Sequence, residues 1–423
     1  MNKPGESICA LTPESWPFAL ELLPPEAYLV GGAVRDALLN RESEYLDLDF
    51  VLPKGALKTA RQIADRYKAG FVVLDAERKI ARVVFENATV DFAKQEGMSL
   101  ERDLRRRDFT INAIAYHPHT RETIDPLNGR EDLHQRLIRM VSPTNLADDP
   151  LRLLRAYRQG AQLGFTLDRD TEAAIAQLGG FLRRVAAERV NAELWYLLNL
   201  SGAGSWVAAA WENGLLRYWL PSATEAGVAI LTRIDEAGER LAQKWPQLGE
   251  MLSVEQQQKL KISGYLAIAK WVALLPWDPK EAEAQLMQLK FGRAQISAVT
   301  KVIKGWQMIQ SETENPGQRS LRSQYFLFRA LGPMFPALAV LAVAAEMPVA
   351  AIGPLIERYL DPRDRLAHPK TLVRGTDIMA ALNIPSGPQI GQLLEEIQVA
   401  YVEGRISTAE EALEFAAHRC EGE

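Results

Sequence analysis

Two aspartates one residue apart, Asp47 and Asp49, lie in the strand-like run "YLDLDFVL" (45–52). Residues i and i+2 of a strand project from the same face, so both carboxylates could hold hard divalent cations. A pair of such ions supports in-line displacement at phosphorus, because one activates the attacking hydroxyl and the other stabilises the leaving pyrophosphate. A solvent-exposed strand edge with alternating charge would give the same pattern, so these two residues alone leave both interpretations open.

A third carboxylate, Asp91, lies in the strand-like "ATVDFA" (88–93). A neighbouring strand could bring it beside Asp47 and Asp49 and complete an acidic cluster. The alternative is an ordinary strand aspartate that faces solvent.

A glycine pair interrupts "YLVGGAVRDALL" (28–39) between a short apolar run and a helical pattern. Gly31 and Gly32 would leave backbone amides and a helix N-terminus open to a polyphosphate. A plain turn between a strand and a helix looks similar, and the GxGxxG pattern of dinucleotide sites is absent.

These residues belong to a region that mixes two periodicities. Over about the first 140 residues, β-rich runs such as "FVVLD", "ARVVFE" and "TVDFA" alternate with the helical pattern "LKTARQIADRYKA". From Asp149 onward the spacing of apolar residues is almost entirely helical. The apolar stretch 333–345 is too short to span a bilayer and predicts a buried helix, so no membrane partner is expected.

Composition narrows the class of protein. The chain has 423 residues, 47% of them hydrophobic, and a formal net charge of -5, so any polyanion site must come from local clusters of its 49 Lys and Arg. Its two cysteines lack metal-ligand spacing, and no secretory signal is apparent. Together these features predict a cytoplasmic protein.

Five segments in order resemble the motifs of the class II tRNA nucleotidyltransferases, the CCA-adding enzymes, to which bacterial poly(A) polymerases are related. The segments are "LVGGAVRDALL...DLDF" (29–50), "RRDFTINAIAY" (106–116), "DPLNGREDLHQRLIR" (125–139), "DDPLRLLRAYRQGAQLGF" (148–165) and "ERVNAELWYLL" (188–198).

The resemblance implies an α+β fold: a polymerase-β-like nucleotidyltransferase head with a mixed sheet, followed by all-α neck, body and tail. The expected bounds are 1–140 for the head, 141–200 for the neck, 201–320 for the body and 321–423 for a tail that binds tRNA. It also implies that Asp47 and Asp49 hold two Mg²⁺ ions and that Asp91 belongs to the catalytic set.

The resemblance assigns the nucleotide's triphosphate and ribose to residues of two motifs. Gly31, Gly32, Arg35, Arg106 and Arg107 are expected at the triphosphate, since guanidinium forks suit phosphate oxygens. Asp108 and Asn112 are expected at the ribose hydroxyls. The alternative for "LERDLRRRDF" (100–109) is a solvated helix face with ion pairs at i,i+4.

The family's base-reading motif, Glu-Asp-x-x-Arg, corresponds here to Asp148, Asp149 and Arg152. A carboxylate can accept from cytosine N4 and a guanidinium can donate to O2 and N3, so Asp149 and Arg152 could select a base without a template. Asp148 departs from the family's glutamate, which puts its supporting role in doubt. Asp149-Pro150 is also a good helix start, and Arg155 and Arg158 are expected to meet tRNA phosphates or to be ordinary surface arginines.

One segment separates members of the family from each other. Members that add all of CCA carry a long flexible loop between the third-carboxylate strand and the "RRD" motif, whereas here only twelve residues run from Asp91 to Asp103. This truncation resembles the enzymes that add only two cytidines, because a short connector has little reach to reshape the base site.

The sequence therefore predicts CMP transfer from CTP to the acceptor end of tRNA, with a separate A-adding enzyme completing the CCA end. Full CCA addition with CTP and ATP is the main alternative. Poly(A) polymerase activity and a non-catalytic RNA-binding protein are weaker ones, since the chain lacks a long basic tail and retains both Asp47 and Asp49.

Overall fold

The computed structural model describes residues 10–41, 45–253, 264–311 and 315–421. The chain forms two compact units, one of Met1–Ala186 with Asn213–Leu215 and the other of Ala187–Glu212 with Leu216–Glu423. The predicted α+β head followed by helices is confirmed. The finer division into four domains stays a prediction, and its boundary at 140/141 falls inside the first unit.

The first unit contains nine strands and seven α-helices in its described part. The strands are β1 Tyr28–Val30, β2 Leu46–Leu52, β3 Gly70–Asp75, β4 Ile80–Val84, β5 Ala88–Lys94, β6 Ala115–His117, β7 Glu122–Ile124, β8 Leu137–Ile138 and β9 Thr166–Leu167. The helices are α1 Gly32–Leu38, α2 Ala56–Tyr67, α3 Leu100–Arg105, α4 Gly129–His134, α5 Pro143–Asp148, α6 Leu151–Leu163 and α7 Arg169–Leu178.

Seven of these strands form one mixed sheet in the order β3-β4-β5-β2-β1-β6-β7. Strand β2 pairs in parallel with β5, and the other neighbours are antiparallel. In β2, buried Leu46, Leu48 and Phe50 alternate with Asp47 and Asp49. The period of two therefore places both aspartates on the face opposite the core.

The core face of the sheet is covered by α2 and by aromatic side chains. Helix α2 buries Ala60, Ile63 and Ala64 along one side, as an amphipathic helix must. Phe50 and Phe92 stack at 5.4 Å between ring centroids. The strands and the helix predicted from periodicity in this region are confirmed.

Helices, without any strand, make up the regular structure of the second unit in its described residues. Its helices are α8 Ala187–Asn199, α9 Gly204–Glu212, α10 Glu225–Lys244, α11 Pro246–Leu252, α12 Tyr265–Leu274, α13 Pro279–Gln288, α14 Arg293–Gln310, α15 Leu321–Leu331, α16 Phe335–Ala344, α17 Val349–Leu360, α18 Gly375–Leu382, α19 Pro388–Val402 and α20 Ala409–Glu421.

The predicted buried helix is α16, in which all ten residues are buried. It continues α15, and the joined run Leu321–Ala344 is by length and composition able to cross a membrane. Its apolar window is 72% buried inside the structure, and α16 packs against α10, α12, α14 and α17. The run therefore belongs to the core of the second unit.

Candidate active site

Three carboxylates lie side by side on the open face of the sheet. Asp49 of β2 is directly in register with Asp91 of β5, and Asp47 is in register with Thr89. The Thr89 hydroxyl donates a hydrogen bond to Asp47 Oδ1 at 2.7 Å. The predicted position of Asp91 on a neighbouring strand is thus confirmed.

Asp91 is held by an arginine that the sequence analysis missed. Arg82 of β4 donates from Nε to Asp91 Oδ1 at 2.7 Å and from Nη2 to Oδ2 at 2.8 Å. This hydrogen bonding raises the pKa of Arg82 against the opposing effect of burial, with further help from the three aspartates. The sequence signal for Arg82 is its position as a polar residue between apolar ones in "ARVVFE". The sequence does not show that Asp91 is its partner, because that depends on the pairing of β4 with β5.

The cluster concentrates negative charge at Asp49. Burial, followed by the charges of Asp47 and Asp91, raises the pKa of Asp49 to about 7, although Arg107 and Arg82 act in the opposite direction. A divalent cation would relieve this repulsion, and carboxylate oxygens are the donors that Mg²⁺ prefers. The acidic pair Asp47 and Asp49 therefore fits a hard cation. Among the described residues, no three or more His, Cys, Asp or Glu side chains are grouped so that they could hold one metal ion together, so the fit to a cation concerns the pair alone.

The glycine turn approaches this cluster closely. Gly31 has φ of 78°, and a Cβ atom there would lie 3.4 Å from both Asp49 Oδ2 and Arg107 Nη1. The backbone conformation therefore favours glycine at this position. Gly32 opens α1 directly afterwards, so a helix N-terminus begins beside Asp49 and Arg107.

Arg107 is oriented by Asp103, another residue that the sequence analysis did not single out. Arg107 Nη2 donates to Asp103 Oδ2 at 3.1 Å. The Nε atom of Arg107 is buried and has no hydrogen-bond partner among the described residues. A buried guanidinium nitrogen with an unused donor, beside a glycine turn, suits the oxygens of a phosphate.

Asp103 also fixes the short connector between β5 and α3. Residues 95–99 complete this connection, and the fully buried Asp103 accepts from the Glu96 amide at 2.9 Å. Arg106 bridges Asp103 and Glu96, each at 3.2 Å. The ion pairs considered as the alternative for this segment are present, but Asp103 at their centre is buried. Arg106 at the triphosphate stays a prediction.

Asp108 and Asn112 lie in a buried hydrogen-bond network. Asn112 donates from Nδ2 to Asp108 at 2.9 Å and to Gln159 at 2.9 Å, while its Oδ1 accepts from Arg35 at 2.9 Å. Gln159 of α6 was missed, since nothing local to its sequence indicates a polar partner. Arg35 also pairs with Asp36, so contact with a triphosphate would require it to leave these partners.

Arg155 completes the network by pairing with Asp108 at 2.9 Å. Burial alone would raise the pKa of Asp108, but the charge of Arg155 and hydrogen bonds from Asn112, Arg155 and the Phe109 amide lower it to about 2. Asp108 is therefore ionised and already accepts several hydrogen bonds. Its contact with ribose and the contact of Arg155 with tRNA stay predictions, and each requires one of these bonds to be shared or broken.

The base-reading candidates lie where α5 meets α6. Arg152 Nη1 donates to the carbonyls of Arg106 at 2.8 Å and Asn145 at 2.9 Å, and burial lowers the pKa of Arg152. Asp149 links the two helices, and its Oδ1 accepts from the Leu151 amide at 3.4 Å.

The remaining candidates are placed as follows. Asp148 ends α5 and is exposed, and Arg158 donates to Gln162 at 2.8 Å. The roles of Asp148, Asp149 and Arg152 in reading the base, and of Arg158 in binding tRNA, stay predictions.

Three family models match the chain. The model described as "Poly A polymerase head domain" matches residues 27–139, "Probable RNA and SrmB- binding site of polymerase A" matches 164–226, and "tRNA nucleotidyltransferase domain 2 putative" matches 263–417. The acidic pair, glycine turn and mixed sheet all lie within the first match.

Known proteins of similar sequence belong to the same family as these models. The chain is 48% identical to a CC-adding tRNA nucleotidyltransferase of Synechocystis sp. over 95% of each protein. It is 31% identical to an A-adding tRNA nucleotidyltransferase of Deinococcus radiodurans, over 93% of this chain and 95% of that one. A solved CCA-adding enzyme complexed with CTP shares the fold, with a TM-score of 0.68, 24% identity and coverage of 93% and 91%.

Fold and site together define a nucleotidyltransferase. The chain belongs to the tRNA nucleotidyltransferase and poly(A) polymerase family, whose members are metal-dependent. It is accordingly an enzyme of tRNA 3'-end processing.

Proposed function

We propose that the enzyme transfers CMP from CTP to the 3' end of tRNA, adds two cytidines and stops before the terminal adenosine. The observation that carries this proposal is the connector of residues 95–99, which is short and tied down by Asp103. A connector that is short and anchored in this way cannot reach the base site and change its shape to accept ATP. The similarity to a CC-adding relative supports the same specificity.

The glycine turn and Arg107 receive the triphosphate of CTP. Gly31, directly before α1, lies beside Asp49 and the Arg107 guanidinium, and Nε of Arg107 is buried without a hydrogen-bond partner among the described residues. Asp103 keeps the Arg107 fork in place, so the phosphates meet donors that need little reorganisation. The leaving pyrophosphate thereby stays on the β1 side of Asp49.

Asp47 and Asp49 would hold two Mg²⁺ ions, which supply activation of the 3'-hydroxyl of tRNA and charge compensation for pyrophosphate. Arg82 keeps both oxygens of Asp91 engaged. In this proposal Asp91 acts through the charge it places beside Asp49.

The base is read by Asp149 and Arg152, with Asp148 in support. Hydrogen bonds of Arg152 to the Arg106 and Asn145 carbonyls orient its guanidinium toward one position. Asp108 and Asn112 bind the ribose, and Arg155 and Arg158 approach the acceptor stem. The enzyme works in the cytoplasm, and a separate A-adding enzyme finishes the CCA end.

Replacing Asp47 with asparagine tests the catalytic assignment. Asp47→Asn keeps the size of the side chain and removes a metal-binding charge, so turnover with CTP should fall by at least a hundredfold, which is about 2.7 kcal/mol in activation free energy. Binding of tRNA, measured by filter retention, should change less than twofold. Asp65→Asn, on α2 behind the sheet, is the matched control and should retain full activity. Normal turnover of Asp47→Asn would overturn the assignment.

A further inference from the structure

The face of the sheet that carries the aspartates continues beyond them over two more strands. One row of registered residues runs from Asp49 through Asp91 and Arg82 to Val72 of β3. The next row runs from Asp47 through Thr89 and Val84 to Gly70. Residues opposite each other on paired strands share a face. Val72, Arg82 and Val84 therefore lie on the same face as the carboxylates, and we call these three residues the outer-strand surface.

The outer-strand surface is open, whereas the reverse face is packed at β4. Val72 is 49% exposed and Val84 is 40% exposed. On the reverse face Ala81 and Val83 of β4 are fully buried, and α2 covers β3, β4 and β5. Gly70 opposite Val84 adds no side chain, so the surface stays flat there.

The direction of the reaction points to what this surface meets. In an in-line displacement the attacking oxygen enters opposite the leaving group. The triphosphate donors, Gly31 and Arg107, lie on the β1 side of Asp49. The attacking 3'-hydroxyl must then come from the opposite side, across β5, and β4 and β3 extend that side by about 10 Å.

We propose that the outer-strand surface binds the 3'-terminal nucleotide of the RNA acceptor. Val72 and Val84 pack against its sugar and base, and Arg82 lies toward its phosphate while holding Asp91. Arg82 suits this position because its side chain is 39% exposed although its Nε and Nη2 atoms both donate to Asp91. Apolar contact with a base does not depend on its identity, which suits an enzyme that must accept different acceptor ends. This inference rests on the proposed function.

A pair of neighbouring variants tests the surface. Val72→Asp places a negative charge where RNA is expected, and should raise the KM for a tRNA transcript by about tenfold or more. The KM for CTP should stay within twofold, because the triphosphate lies on the other side of Asp49. Val73→Asp is the matched control: Val73 is 44% exposed on the same strand but is in register with Ala81, on the reverse face. Thermal melts establish that both variants fold.

Crosslinking locates the RNA end without relying on turnover. A transcript with 4-thiouridine as its 3'-terminal nucleotide is irradiated with the wild-type protein, and the attached peptides are identified by mass spectrometry. Attachment within residues 70–84 is expected. Attachment elsewhere only, or equal effects of Val72→Asp and Val73→Asp on the KM for RNA, would overturn the inference. If the wild-type protein adds no nucleotide yet crosslinks within 70–84, the proposed function is wrong, but the inference that the outer-strand surface binds the RNA end is supported.

Discussion

The residues of the site differ in how far their roles can be predicted from the local sequence. Asp47, Asp49 and Gly31 could be singled out because strand periodicity and a glycine turn are local properties. Arg82, Asp103 and Gln159 could not, because each is given its role by a partner that pairing or burial brings to it. The sequence of a strand shows which face a residue takes, and not which residue of the next strand lies opposite.

The raised pKa of Asp49 gives the site a dependence on pH. In the metal-free protein Asp49 is protonated below about pH 7, so a proton competes with a cation for this carboxylate. Metal affinity should fall by about tenfold per pH unit below 7 and level off above it. Isothermal titration with Mn²⁺ between pH 5.5 and 8.5, in the absence of nucleotide, measures this.

The same carboxylate also affects stability. Since the folded pKa lies above the ordinary value of 3.8, ionisation of Asp49 disfavours the folded metal-free protein as the pH rises from about 4 to 7. Asp49→Asn should remove both pH dependences. Metal affinity that does not change between pH 5.5 and 8.5 in the wild-type protein would contradict the assignment.

Among the elements, α3 and the connector before it link the fold to nucleotide choice. Ser99 caps α3, and Asp103 lies one turn later beneath Arg106 and Arg107. The length of the connector could be predicted from the sequence, because no residues are available for a long loop. The hydrogen bond that anchors the connector to Asp103 could not be predicted. An aspartate spaced i,i+3 and i,i+4 from two arginines is more often found on a solvated helix face.

Asp103→Ala tests whether this attachment stabilises the head. The change leaves the Glu96 amide and two arginines without their buried acceptor, so the free energy of unfolding should fall by about 3–5 kcal/mol. The KM for CTP should rise, because Arg107 loses the contact that orients it. Denaturant unfolding and steady-state kinetics measure the two effects.

The control for this change lies on the same helix. Glu101 pairs with Arg105 at 2.8 Å, but its side chain is 56% exposed, so Glu101→Ala should cost less than about 1 kcal/mol. If Asp103→Ala costs no more than Glu101→Ala, the connector is not held in the manner described.

At the scale of the whole molecule, all candidate residues lie in the first unit and the second is helical. The buried helix α16 could be predicted because its sequence is apolar at every position. Lys270 of α12 could not be interpreted in the same way. It is 1% exposed within an apolar helix and pairs with Asp235 of α10 at 2.8 Å. Its partner lies thirty-five positions earlier, and no periodicity connects the two.

We propose that this fold, with its short connector, adds cytidines alone. The most direct measurement is extension of a tRNA transcript that ends at the discriminator base, with CTP, ATP or both, resolved to single nucleotides. Growth by two residues with CTP, and no further growth when ATP is added, is expected. Growth by three residues with both nucleotides would show full CCA addition and contradict the role given to residues 95–99, and no growth at all would contradict the enzymatic account itself.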